Sequence, residues 1–314
     1  MTPILQWGPP MTLPVRITPG SLLYVTRRCW ERRFFLKPSE RFNHVFEYLL
    51  AVGLQKFNMK AVVTTAMSNH YHALVVDVEG RAPKFYEWFH KELTKATNQM
   101  NKRSGGLWEN EKTSGIEVLD PVKALEIAAY TLCNPTAAGL VSEGRFWPGH
   151  RSSPRAAVSG SRVIKRPDEK YFRKSKTKPQ EVTLTYHVPP GYDPADPERW
   201  VSDLEAAVAA REHEIQQEMK AQGRRFLGAR GVLRRRWGSR PKTQEPRGPG
   251  RKINPRFASS CKELRRGAIE RYRRFVAAYQ EARAAFIAGD REVVFPEGTY
   301  KLRHELNVRC HSPP

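Results

Sequence analysis

Two histidines one residue apart, His70 and His72, open the run HYHALVVDV at 70–78. On a β-strand, residues i and i+2 point to the same face. The two imidazoles therefore stand side by side, where they can share one divalent ion. Farther along, Tyr130 and Asn134 are spaced i, i+4 within AYTLCNP, which puts both on one face of a helix. A tyrosine hydroxyl can be a nucleophile, and an amide oxygen can ligate a metal. Each pair alone is a weak signal, since an HxH pair fits chance packing about as well as a metal site, and Asn before Pro is an ordinary helix terminator. Together they describe a phosphodiester chemistry. A divalent ion neutralises the non-bridging oxygens, and the phenol displaces an oxygen at phosphorus. Free tyrosine ionises near pH ~10, so its proton must be removed. The sequence shows no clear base, and both the metal's field and a nearby Lys remain open.

The elements that must position these residues follow from pattern. Leu22–Thr26 (LLYVT) is β-rich and ends in Arg27 and Arg28. Ser39 is an N-cap for a helix carrying Phe42, Val45, Phe46, Leu49 and Leu50. Residues 59–67 and 70–78 read as strands joined by Ser68-Asn69. Pro83 opens a long amphipathic helix with Phe85, Trp88, Phe89 and Leu93 on one side, and 116–119 is a short strand. Asp120 caps a last helix, which should stop near Asn134-Pro135. The order β-α-β-β-α-β-α predicts an α+β fold, a ferredoxin-like antiparallel sheet with helices on one face.

Beyond Trp147-Pro148-Gly149 the texture changes. Residues 1–20 read as an irregular lead-in, 21–153 as the catalytic domain and 154–180 as a basic linker. Residues 181–314 read as a basic, mainly helical DNA-binding extension, with helices over about 197–222 and 260–289. Residues 224–274 carry 18 Lys or Arg against three Glu, and their middle, 238–255, is Gly- and Pro-rich and reads as flexible. The whole chain has 314 residues and a net charge of +22, which argues for a polyanionic partner. Arg27, Arg28, Arg32 and Arg33, and Arg234, Arg235, Arg236 and Trp237, are the candidate DNA contacts: cations for phosphates, an indole for a base. With all four site residues ahead of Pro154, the expectation is that a truncation there leaves a folded, intact active site.

Several classes are excluded. No run reaches the roughly 18 apolar residues of a membrane helix. The first twenty residues lack the charge and apolar order of a secretory signal. Four cysteines form no CxxC pair, so a reducing cytoplasm is the expected location. There is no GxxxxGK[ST] loop, and no ATP is expected. His304, Cys310 and His311 have no second cysteine pair to make a zinc site.

SNHYHALVV, LWE at 107–109, AYTLCNPTAAGLV at 129–141 and WPG at 147–149 together resemble the REP-associated tyrosine transposases, which are HUH single-strand DNA endonucleases. The early VTRRCWERRFF fits the opening strand of that family. The resemblance spans about 21–153, roughly half the chain. It implies an HUH-type fold in which His70 and His72 hold the metal, Tyr130 is the nucleophile and Asn134 completes the metal site. The middle residue of the motif, usually a bulky aliphatic, is Tyr71. Ala137 stands where the family's Asn-Pro-Val-Arg-Ala-Gly has a basic residue, which removes one expected phosphate contact. By resemblance the chain is a transposase. It would be a metal-dependent endonuclease and strand-transferase on single-stranded or hairpin DNA, leaving a 5′-phosphotyrosine and a free 3′-OH. Softness favours Mn²⁺, Co²⁺ or Zn²⁺ on two imidazoles, whereas the family implies Mg²⁺ or Mn²⁺. Some relatives exchange the tyrosine helix in a homodimer and others act as monomers, so both states stay open. The rival readings are a domesticated, non-catalytic nucleic-acid-binding protein, an RNA-binding protein using the sheet as a stacking platform, and a metal-dependent hydrolase without a covalent intermediate.

Overall fold

The computed structural model describes residues 13–109, 113–173, 177–241 and 255–311. Residues 1–12 of the expected lead-in and 242–254 of the expected flexible stretch lie outside them. The chain forms two compact units, 19–261 and 1–18 with 262–314.

In the larger unit, β1 (Ser21–Arg28), α1 (Glu40–Lys56), β2 (Met59–Ala66), β3 (His70–Asp77), α2 (Ala82–Met100), β4 (Ser114–Val118) and α3 (Pro121–Ala137) follow the expected order. The sheet order is β2-β3-β1-β4, antiparallel throughout. The predicted caps form: Ser39 Oγ accepts from Phe42 N–H at 3.1 Å, and Asp120 Oδ1 from Lys123 N–H at 2.8 Å. Alternation along β3 divides the core. Tyr71, Ala73 and Val75 join α1 and α2 through Phe46, Phe85 and Phe89. Leu74 and Val76 join the opposite layer, beside Leu132 and Cys133 of α3.

α3 does not stop before Pro135 but runs two residues past it. Gly139, at φ +69°, ends it: Gly139 N–H reaches Thr136 O at 2.8 Å, and Leu140 N–H reaches Pro135 O at 3.0 Å. Asn134 therefore sits inside the last turn, with Tyr130 one turn before it.

The described part of the stretch expected to be a basic linker is folded. β5 (Arg162–Lys165) and β6 (Glu181–Leu184) form a small antiparallel hairpin, with the short α4 (Lys170–Arg173) between them. Ile164, Phe172, Val182 and Leu184 bury into the α1–α2 core, and Tyr48 donates to Pro179 O at 2.6 Å. Ile164 and Phe172 are isolated apolar residues among Lys, Arg and Ser and give no periodic signal, whereas the pattern over 182–188 is compatible with a strand.

The expected boundary after 153 also falls inside this unit. α5 (Pro197–Ala221) lies along α3 and contributes Trp200, Val201, Leu204 and Val208 to the second core layer. Cys133 and Glu212 add polar ties: Cys133 Sγ lies 3.7 Å from Val208 O, and Gly144 N–H donates to Glu212 at 2.6 Å. Without α5, the α3 layer would lose its cover, so the core does not close at Pro154. α6 (Ala229–Arg234) follows, and β7 (Phe257–Ala258) adds to β4 in parallel, making the five-stranded sheet mixed.

The smaller unit holds α7 (Lys262–Ile287) and α8 (Lys301–Glu305). Phe275, Tyr279 and Ala282 pack on Phe295 and Val308, and Tyr272 donates to Pro14 O at 2.7 Å. Among the described residues, no helix is long and apolar enough to cross a membrane.

Candidate active site

The register of β1 on β3 builds the site. Thr26 pairs with His72 and Arg28 with His70, so β1 lies alongside the histidines. Both imidazoles project to the α3 side, with ring centroids 4.7 Å apart and planes nearly perpendicular. Asn69 Oδ1 lies 2.7 Å from His70 Nδ1. A carboxamide oxygen only accepts, so Nδ1 carries the hydrogen, and in the neutral ring Nε2 is the unprotonated nitrogen.

His72 is buried, with Nδ1 2.7 Å from the Tyr24 hydroxyl. Its Nε2 is buried with no hydrogen-bond partner among the described residues. Such an orphan costs about 1–3 kcal/mol. Burial, then His70 and Arg28, hold this imidazole well below the usual histidine range, so it is neutral near pH 7. A neutral imidazole whose second nitrogen is fixed by a hydrogen bond suits a metal ligand.

Three tyrosines surround the motif. Tyr24 is buried and its phenol is pushed far up, by burial first and by Tyr130 second. Tyr71 is buried on the opposite face, and burial pushes it up too. Tyr130 alone of the three reaches solvent, at 40% exposure. Its ring meets His72 edge-on at 5.8 Å and Tyr24 at 6.5 Å. Arg211 of α5 lies over its face, with Cζ 5.3 Å from the centroid, and the Arg211 Nε is buried without a partner among the described residues. Asn134 is buried one turn on, and no hydrogen bond ties its carboxamide to either histidine among the described residues. The structure thus brings His70, His72 and Tyr130 together, while Asn134 sits one helical turn on from Tyr130. Among the described residues no group of three or more His, Cys, Asp or Glu forms a metal cluster.

The WPG segment closes the end of β2. Trp147 Nε1 donates to Ala66 O at 3.0 Å, and a Cβ at Gly149 would lie 2.4 Å from that nitrogen, so only glycine fits.

The candidate DNA contacts divide. Arg27 is half-buried. It points to the α2 side, where it donates to His90 Nδ1 at 3.1 Å and to Thr113 Oγ1 at 2.7 Å, and burial lowers its pKa. One-residue alternation turns it away from the histidine face. Arg28 is exposed near the histidines. Arg32 O accepts from Asn69 Nδ2 at 3.1 Å, and Arg33 donates to Glu31 at 2.9 Å. Arg234, Arg235 and Arg236 are exposed, and Trp237 packs on Phe35 with centroids 5.2 Å apart. Sequence reasoning missed Tyr24, Asn69 as a side-chain partner, and Arg211. Asn69 stood next to the motif, whereas Tyr24 and Arg211 meet it only through strand register and helix packing.

No protein-family profile and no curated protein matches the chain. Among solved structures, a REP-associated tyrosine transposase bound to a REP hairpin aligns over 52% of this chain and 90% of its own length. The identity is 12% and the TM-score 0.39. That likeness concerns the general course of the backbone, and the chemistry of the site rests on its own residues.

Proposed function

We propose that this chain is a tyrosine transposase: a metal-dependent single-stranded DNA endonuclease and strand-transferase acting on hairpin-flanked DNA. The observation that carries the reading is the orphaned Nε2 of buried, neutral His72 beside His70 and the exposed phenol of Tyr130. His70 and His72 would hold a divalent ion, with Mg²⁺ and Mn²⁺ the candidates by family resemblance. Asn134, one turn beyond Tyr130 on the same helix, is the further ligand that the family resemblance implies. When bound, the ion neutralises phosphate oxygens as a Lewis acid.

The protein's own residues account for the rest. Asn69 and Tyr24 fix the two rings. Tyr130 Oη attacks phosphorus, the P–O3′ bond breaks and the 3′ oxygen leaves as a 3′-OH. The 5′ phosphate stays on Tyr130. In the reverse direction an incoming 3′-OH attacks the same phosphorus and releases the phenol, so rejoining needs no nucleotide cofactor. Arg211, over the ring, limits the angles Tyr130 adopts and adds a cation beside the reacting phosphate.

The test uses a labelled hairpin with single-stranded flanks and Mn²⁺ or Mg²⁺, resolved on a denaturing protein gel. The wild type is expected to carry label, while Tyr130→Phe and chelated wild type carry none. DNA binding without any adduct would favour the non-catalytic binding protein instead.

A further inference from the structure

A cleft of about 650 Å³ lies beside the histidine strand, walled by Trp30, Arg33, Phe35, Arg103, Arg236 and Trp237. The walls come from two distant segments that are stitched together. Phe34 N–H donates to Ser239 O at 2.8 Å, Trp237 Nε1 to Phe35 O at 3.2 Å, and Arg33 to Gly238 O at 3.2 Å. Gly238, at φ +73°, makes the turn this needs.

The cleft's chemistry is specific. Arg103 lies 4.3 Å from the Phe35 centroid, with Nη1 donating to Asn98 and Gly105 and Nη2 to Gly106, so it is a fixed platform. Trp30 leaves its indole 42% exposed. Among the described residues no carboxylate lines the cleft. Glu31, outside it, is held by Arg33 and Arg240, while Arg236 is exposed and has no acidic partner among the described residues. Flat apolar faces with cations and no anion suit a base and its phosphate, and the volume lies within the ~300–1,000 Å³ of small-ligand sites. The cleft is also tied to the catalytic strand. Cys29 N–H donates to Asn69 O at 2.7 Å, Leu36 N–H to Ser68 O at 2.9 Å, and Asn69 itself bonds both Arg32 O and His70.

We infer that this cleft binds an unpaired nucleotide of the DNA strand, its base stacked on Trp30 and its phosphate on Arg236. Asn69 then links that nucleotide's position to His70. The inference rests on the reading of single-stranded DNA as substrate and names where one flanking base sits.

The full chain, kept in chelator, is titrated with fluorescein-labelled oligothymidylate and with an abasic oligomer of the same length and charge. Wild type is expected to bind the thymidylate about tenfold more tightly, the scale of one stacked base. Trp30→Ala should bring that ratio toward one, Trp30→Phe should keep most of it, and Arg236→Ala should weaken both ligands alike. A ratio unchanged in Trp30→Ala overturns the inference, as does equal binding of both oligomers by wild type. Adduct formation at Tyr130 is scored separately. An adduct with an unchanged Trp30→Ala ratio defeats the cleft alone, and a lost ratio without an adduct defeats the nuclease alone.

Discussion

Tyr71 and His72 are neighbours on β3 and face opposite sides of the sheet. On Tyr71's side the polar groups at its tip are matched. Arg27 donates to His90 Nδ1, so His90 Nε2 carries the hydrogen and meets the Tyr71 hydroxyl at 2.7 Å, with Trp108 and Phe89 packed around them. On His72's side one nitrogen is matched by Tyr24 and the other is left over, with Tyr130 open to solvent nearby. Arg27 Nε and the Tyr86 hydroxyl on Tyr71's side are also buried without a partner among the described residues, so the contrast lies in what stands beside the orphan: His72 Nε2 belongs to a ring that meets the exposed phenol of Tyr130. Burying an unmatched nitrogen costs stability, and a ligand at that nitrogen would recover it.

The comparison is broken most severely by uncovering the second face. Trp200 is almost fully buried in the α3–α5 layer. Trp200→Ala is expected to cost about 3–5 kcal/mol in chemical denaturation, and a chain ending at 154 should be insoluble or unfolded. A cooperative melt from that truncation would show that residues 1–154 close their own core.

Exchanging single residues on the two faces sharpens the contrast. His72→Asn should reduce cleavage by more than the roughly 100-fold typical of outer-shell partners. Tyr71→Phe should cut nicely between the roles, lowering stability by about 1–3 kcal/mol through the unmatched His90 while cleavage continues. Single-turnover rates and melts on both variants check this, and equal activity losses would erase the distinction. Tyr24→Phe is a subtler change. It frees His72 Nδ1 and should weaken metal-dependent cleavage by about 10–100-fold with a small change in melting temperature.

The smallest effect is in pH. Burial, then Arg27, lowers the His90 pKa well below the ordinary value, so the folded protein keeps it neutral. Below about pH 6.5 the unfolded chain binds a proton there that the folded chain does not. Stability should therefore fall on acidification, by at most about 1.4 kcal/mol per pH unit for this histidine. His72 and His187 are held low by burial too and add to the same slope, so the His90 share is the difference between wild type and His90→Gln in denaturation between pH 7 and 5. Equal slopes in the two proteins would mean that His90 titrates normally in the fold.

The sheet and its first three helices were legible because their apolar residues recur at the periods of strand and helix. Ser39 and Asp120 announced two helix starts by chemistry alone. Period two also placed His70 and His72 together. Less legible were contacts made across long separations. Ile164 and Phe172 are single apolar residues in short elements, and only their burial in the α1–α2 core reveals their purpose. Arg27 carried the charge of a DNA contact but the alternation of an inward residue. Arg211 had no motif at all and meets Tyr130 only because α5 lies on α3. The family resemblance supplied roles for Tyr130 and Asn134 that spacing alone left open.

The central claim is that Tyr130, and neither of the two buried tyrosines beside the motif, forms the bond to DNA. Wild-type protein incubated with the flanked hairpin and Mn²⁺ would be digested with nuclease and protease, and its peptides read by tandem mass spectrometry. A nucleotide on Tyr130, bonded through its 5′ phosphate, is the predicted result. The same mass on Tyr24 or Tyr71, or unmodified Tyr130 peptide alongside cleaved DNA, would contradict it.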